Sequence, residues 1–135
     1  MTGGRMRRTA LITGASAGIG QAFAEVFAAN GFDLVITARR EDRLRALAAS
    51  IEARHHMRVH VIAENLVDPA APARLCARLA EEGLVIDAVV NNAGFGVAGS
   101  FSKSGWRDQG ELLQILVVAV AEVTHRLLPG MLERG

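Results

Sequence analysis

Eight residues, TGASAGIG (13–20), put glycines at 14, 18 and 20, directly after an apolar run and at the start of an amphipathic one. That arrangement can hold a phosphate. Gly14 would let the chain turn sharply, Gly18 would let backbone approach a pyrophosphate, and Gly20 would let a helix pack close to a strand. The helix N-terminus, entered at Gly18-Ile19-Gly20, would offer free N–H groups and a partial positive charge. Ser16 would add a hydroxyl donor or cap the helix. Glycine spacing alone is a weak signal, and the strand before it and the helix after it are what strengthen it.

A second group decides which nucleotide such a turn would serve. In TARRED (37–42), Ala38 stands where a carboxylate would bond ribose hydroxyls and repel a 2′-phosphate, and Arg39 and Arg40 follow. A guanidinium can pair bidentately with a phosphate, which points to NADP(H), with NAD less favoured. The alternative is a pair of solvated arginines at a helix start, a placement the helix dipole disfavours. Asn65-Leu66 follows a third apolar run, and Asn91-Asn92-Ala93-Gly94 ends a fourth.

Other chemistry-bearing residues form no second site. His55, His56, His60 and His125 have no Cys or carboxylate at matching ligand spacing, so no metal is expected. Cys76 lies between Leu75 and Leu79 at helical spacing and reads as a buried, inert thiol of a reducing, cytoplasmic compartment. Glu41-Asp42 and Glu81-Glu82 read as solvated helix faces. Trp106 either edges a pocket or, more simply, packs the start of a helix.

The elements that must position these groups alternate. Four short runs, TALIT (9–13), FDLVIT (32–37), VHVIA (59–63) and IDAVVN (86–91), are close to continuously apolar, as strands covered on both faces should be. Between them lie three amphipathic segments. Ile19, Ala22, Phe23, Val26 and Phe27 predict one apolar stripe on the first helix, closed by Asn30-Gly31. Leu44, Leu47 and Ile51 mark the second. Asp68 as N-cap and Pro69 at the first helical position begin the third, which ends at Gly83. A Gly/Ser-rich loop (94–105) leads to a last helix over 108–128, with Asp108 and Glu111 spaced as a capping box and Pro129-Gly130 as the stop. This alternation implies an α/β fold with a parallel sheet and right-handed crossovers. The groups at 14–20, 39–40, 65–66 and 91–94 would then meet at the carboxyl edge of that sheet.

With 15 Lys+Arg against 14 Asp+Glu, the chain has no electrostatic case for nucleic acid or an anionic membrane. Arg5, Arg7 and Arg8 precede too few apolar residues for a signal-peptide core and read as a solvated lead-in. The longest apolar run, Ile115–Ala121, is seven residues and too short to span a bilayer.

The G-x-x-x-G-x-G spacing together with NNAG resembles the N-terminal, cofactor-binding half of the short-chain dehydrogenase/reductase family. The resemblance implies a partial Rossmann sheet of order 3-2-1-4, in one half-domain over 1–135 that stops before the family's Tyr-x-x-x-Lys segment. It implies NADP(H), with the Asn92-Ala93-Gly94 backbone lining the cofactor and Asn65 at a position usually aspartate that accepts from the adenine amino group. It also implies a catalytic tyrosine, lysine, serine and helix asparagine. This chain has no tyrosine, its one lysine is Lys103, and Leu116 stands where the asparagine would be. Two functions follow: the cofactor half of an NADP(H)-dependent oxidoreductase, or a non-catalytic dinucleotide-binding scaffold. In either, self-association is expected through strand four, the last helix (apolar over Leu112–Val123), or both, since the resemblance implies that the equivalent helix lies at a dimer interface in full-length relatives.

Overall fold

The computed structural model describes residues 7–135, so Arg5 of the basic lead-in lies outside the described residues. Four strands, β1 (Thr9–Thr13), β2 (Asp33–Thr37), β3 (Val59–Val61) and β4 (Ala88–Val90), form one parallel sheet of order β3-β2-β1-β4. Helices α1 (Gly18–Ala29), α2 (Glu41–His55) and α3 (Ala71–Glu81) are the crossovers. The last helical segment comprises α4 (Trp106–Leu113) and α5 (Ala119–Arg134), joined without a break by a π turn at Gln114–Val118.

The continuous apolarity of the strands has its expected cause. Ala10, Ile12, Leu34 and Ile36 pack on the α1–α2 side, and Leu11, Val35 and Ile62 on the α3–α5 side. Full burial of each large side chain contributes about 1.5–3 kcal/mol. Leu44, Leu47 and Ile51 of α2 are buried as their spacing predicts.

The first helix differs from expectation. Its buried face is Gly20, Ala24 and Ala28, whereas Ile19 is 70% exposed and Phe23 and Val26 are also exposed. The reason is distance. A Cβ at Gly20 would stand 2.1 Å from the Gly14 carbonyl oxygen, so only a face of small residues fits against the sheet end. Phe27 is the bulky member that packs inward, edge-on to Phe32. Helix α1 closes as expected, with Gly31 left-handed (φ 87°) and Phe32 N–H donating to the Phe27 carbonyl.

Helix boundaries also shift. Asp68 does not cap α3; its Oδ1 accepts from Ala70 N–H (2.9 Å) in a turn that holds Pro69, and the helix begins at Ala71 with Pro72 in its first turn. The last helix begins at Trp106 with Gly105 as N-cap, so Asp108 lies inside the first turn and the capping box does not form. Trp106 is 70% exposed and does not pack the helix start. Pro129-Gly130 does not end the helix, which runs to Arg134 and is pinned there by Arg134 Nη2 on the Ile86 carbonyl (2.6 Å). His125, whose carbonyl loses its partner, and Pro129 both lie on the exposed side of the helix. Apolar character therefore extends beyond the seven-residue run. Trp106–Arg134 forms 29 residues of helix long and apolar enough, by length and composition alone, to cross a membrane.

Two surface expectations are corrected as well. Arg7 is not merely solvated, since it donates to the His56 carbonyl (3.2 Å) and pairs with Asp33, while Arg8 lies over the Phe32 ring. Cys76 is half-buried rather than enclosed, and burial pushes its thiol pKa up, so it stays protonated.

Candidate functional site: a cleft at the carboxyl edge of the sheet

The chain leaves β1 at Thr13 and turns at Gly14, whose backbone is left-handed (φ 63°). A Cβ there would meet the Ala93 Cα at 2.8 Å, so glycine is required by conformation and by space. The turn is tied on both sides. Ala15 N–H donates to the Thr37 carbonyl (3.2 Å), and Asn92 Nδ2 donates to the carbonyls of Thr13 (3.2 Å) and Gly14 (3.1 Å). The first turn of α1 has no side-chain cap, leaving its N–H groups free for a ligand. Ser16 is therefore not a cap; it lines the cleft.

Thr13 is the keystone of this arrangement. Its Oγ1 accepts from the backbone N–H groups of Asn92 and Ala93, each at 2.9 Å, and lies 3.4 Å from the Val90 carbonyl. One buried hydroxyl thus locks the end of β4 onto the end of β1. Asn91 fastens the same segment to α5 through Nδ2 and Thr124 Oγ1 (3.1 Å).

The resulting cleft has a volume of about 380 Å³, within the range of small-ligand sites. Gly14, Ser16 and Ile19 line it from the turn, Arg39 and Arg40 from the end of β2, Asn65 and Leu66 from the loop after β3, and Asn92, Ala93 and Gly94 from the end of β4. Gly18 and Gly20 are not in its wall. Gly18 is left-handed with open space beside it, and Gly20 provides the close packing of α1. Neither Arg39 nor Arg40 has an ion-pair partner among the described residues, whereas Arg45, Arg54, Arg74 and Arg78 are paired.

Several wall residues escaped the sequence reading. Thr37, the last residue of β2, is 1% exposed, and its Oγ1 has no hydrogen-bond partner among the described residues. Glu64 lines the cleft with its carboxylate held by Arg74 (Nε–Oε1 2.9 Å, Nη2–Oε2 3.0 Å). Arg74 also reaches Asp68 Oδ2 (2.8 Å), and the Ala70 N–H, together with this guanidinium, holds the Asp68 carboxyl below its usual range. Val67, Phe95 and Ile115 add apolar wall. Only the alternation of elements could have hinted at Thr37 and Glu64, since each sits at or just beyond a strand's carboxyl end.

Beside Gly94, at the edge of the cleft, the neighbouring side chain is hydrocarbon. A Cβ on Gly94 would meet Leu116 Cδ2 at 2.6 Å, so Leu116, in the π turn, stands against the Gly94 backbone. It brings no donor or acceptor to that point.

Known proteins share this fold. A family model described as short chain dehydrogenase matches residues 8–135. The chain is 34% identical over 130 residues to a serine 3-dehydrogenase of Rhizobium radiobacter, covering 96% of this chain and 51% of that protein. It is 36% identical over 125 residues to a sulfoacetaldehyde reductase of Chromohalobacter salexigens, covering 92% of this chain and 49% of that protein. Among solved structures, L-sorbose reductase from Gluconobacter frateurii complexed with NADPH and L-sorbose superposes with a TM-score of 0.90 at 32% identity, covering all of this chain and 51% of that one. A short-chain dehydrogenase from Sphingobium yanoikuyae in complex with NADPH gives 0.88 at 35% identity, over 94% of this chain and 49% of that one. The chain spans about half the length of these relatives. By sequence and by fold, it belongs to the short-chain dehydrogenase family.

Proposed function

We propose that residues 1–135 form the dinucleotide-binding unit of an NADP(H)-dependent short-chain oxidoreductase. The observation that carries this reading is the cleft that gathers the glycine turn, Arg39-Arg40 and the 92–94 backbone at one sheet edge. The fit to a phosphorylated dinucleotide is chemical. Uncapped N–H groups at α1 suit a pyrophosphate. The unpaired Arg39 and Arg40 suit a 2′-phosphate. NADPH-bound relatives of the same fold support the choice.

When bound, the nicotinamide supplies a hydride for carbonyl reduction. The protein's own residues bind and orient it. The 135 residues contain no tyrosine, and Leu116 brings no polar group to its place beside Gly94. We therefore expect this chain, acting alone, to bind NADPH without turning it over. NADPH binding followed by nicotinamide fluorescence, run beside NADPH oxidation with a panel of carbonyl compounds, tests this. Binding without oxidation is the expected result. Oxidation by the chain alone would show that another acid serves, and absence of binding would remove the reading.

Self-association is part of the same proposal. Ile115, Ala119 and Val123 anchor the long helix on the sheet, which suits a peripheral core helix better than a membrane span. Leu113, Leu116, Val117, Val118 and Leu128 remain exposed, and β4 is a sheet edge. A dimer in sedimentation velocity is expected; a clean monomer contradicts it. A single cysteine, with no second to form a disulfide within the chain, accords with a reducing, cytoplasmic location.

A further inference from the structure

We propose that Asn65 relaxes recognition of the purine, so that the cleft accepts 6-oxopurine dinucleotides, with hypoxanthine in place of adenine, about as well as adenine dinucleotides. The inference rests on the nucleotide reading above and adds a base specificity to it.

The order of groups along the sheet edge sets where the base must lie. The turn at 14–20 suits the pyrophosphate and Arg39-Arg40 the phosphorylated ribose, so the base extends past β2 toward the loop after β3. There Leu66 and Val67 offer apolar surface, and Glu64 and Asn65 offer polar groups. Asn65 is fixed by a local turn in which its Oδ1 accepts from Val67 N–H (3.2 Å) and its carbonyl accepts from Asp68 N–H (2.9 Å). The partner of the side chain is a backbone N–H, so the atom facing it must be oxygen; the flipped amide would set donor against donor. Nδ2 is left without a partner among the described residues, a free donor at the base end of the cleft. Glu64 does not offset it, because Arg74 already engages both of its carboxylate oxygens.

The C6 substituent of a purine reads this polarity. A 6-amino group donates and a 6-oxo group accepts. A free amide N–H meets the oxo group directly, whereas an adenine must use a ring nitrogen or the remaining lone pair of Oδ1. Aspartate at this position would keep the Val67 bond with one oxygen and place an acceptor where Nδ2 now lies. The exchange inverts polarity with almost no change in shape, and the negative charge it adds acts on both dinucleotides alike, so their affinity ratio isolates the effect.

The test is a fluorescence titration of NADPH and of its reduced hypoxanthine analogue against the wild-type chain and Asn65→Asp. The wild type should bind the two with dissociation constants within about threefold, and Asn65→Asp should favour adenine by about tenfold or more. A wild-type preference for adenine of tenfold or more overturns the inference. So does a ratio left unchanged by Asn65→Asp. In both cases the nucleotide reading survives, because binding itself is observed. Failure of the wild type to bind either compound overturns the nucleotide reading and this inference with it. Should Asn65→Asp not fold, the wild-type ratio alone decides.

Discussion

Thr13→Val is expected to lower the stability of this chain by about 4 kcal/mol, because two backbone N–H groups lose their acceptor and each orphaned donor costs about 1–3 kcal/mol. For a domain of this size that is a fall in Tm of about 15 °C, a large share of a typical total stability. Valine has the shape of threonine, so packing changes little and the loss reports the hydroxyl. Thr13 is 1% exposed, which leaves no water to replace the lost oxygen. Thr13→Ser keeps Oγ and should recover most of the loss. Thermal melts followed by circular dichroism check both variants. The same change should weaken dinucleotide binding, since the freed segment at Asn92-Ala93 is part of the cleft wall. A Thr13→Val protein that melts within 3–4 °C of wild type, roughly 1 kcal/mol, would show that Oγ1 does not hold the two strand ends together.

Arg39→Ala is expected to weaken NADPH binding about 30-fold and leave NADH binding unchanged. The magnitude is that of one charge-assisted contact to phosphate, about 2 kcal/mol. Selectivity is the readout because the side chain has no protein partner among the described residues, so its removal should not disturb the fold. Arg40 flanks the same cleft and begins α2 as its N-cap residue, so the double variant should lose further NADPH affinity. Paired titrations of both cofactors against wild type and variant measure the effect. Equal weakening of NADPH and NADH would mean that Arg39 acts on the site in general and does not read the 2′-phosphate.

Much of this architecture is legible in the sequence. The runs at 9–13, 32–37, 59–63 and 86–91 are all strands, although the edge strands β3 and β4 keep only three residues each where ladder pairing is one-sided. Gly14, Arg39, Arg40 and Asn92–Gly94 do meet in one cleft at one end of the sheet, while Gly18 and Gly20 stay outside its wall. What the sequence concealed has particular causes. The stripe at Ile19, Phe23 and Val26 follows helical periodicity but faces outward, because steric closeness at Gly20 selects a small-residue face that periodicity of apolar residues does not weigh. Asp68 and Asp108 have the residue type of caps, yet Asp68 bonds a turn one step earlier and Asp108 lies inside a helix that starts sooner. Pro129 fails to stop a helix on whose exposed side it lies. Thr13 and Asn92 were legible as members of motifs, whereas their roles as ties between β1, the turn and β4 depend on strand order, which brings residues nearly eighty positions apart into contact. Thr37 opens the TARRED stretch with no role of its own and Glu64 carries no motif, so both become visible only as lining of the cleft.

The central claim is that this cleft binds a dinucleotide and reads its 2′-phosphate. A side-by-side titration of wild-type protein with NADPH and NADH, followed by nicotinamide fluorescence at fixed ionic strength, tests it most directly. The account predicts saturable binding of both, with NADPH tighter by about tenfold or more, as one phosphate–guanidinium contact would give. Equal affinities, tighter binding of NADH, or no saturable binding of either would contradict it.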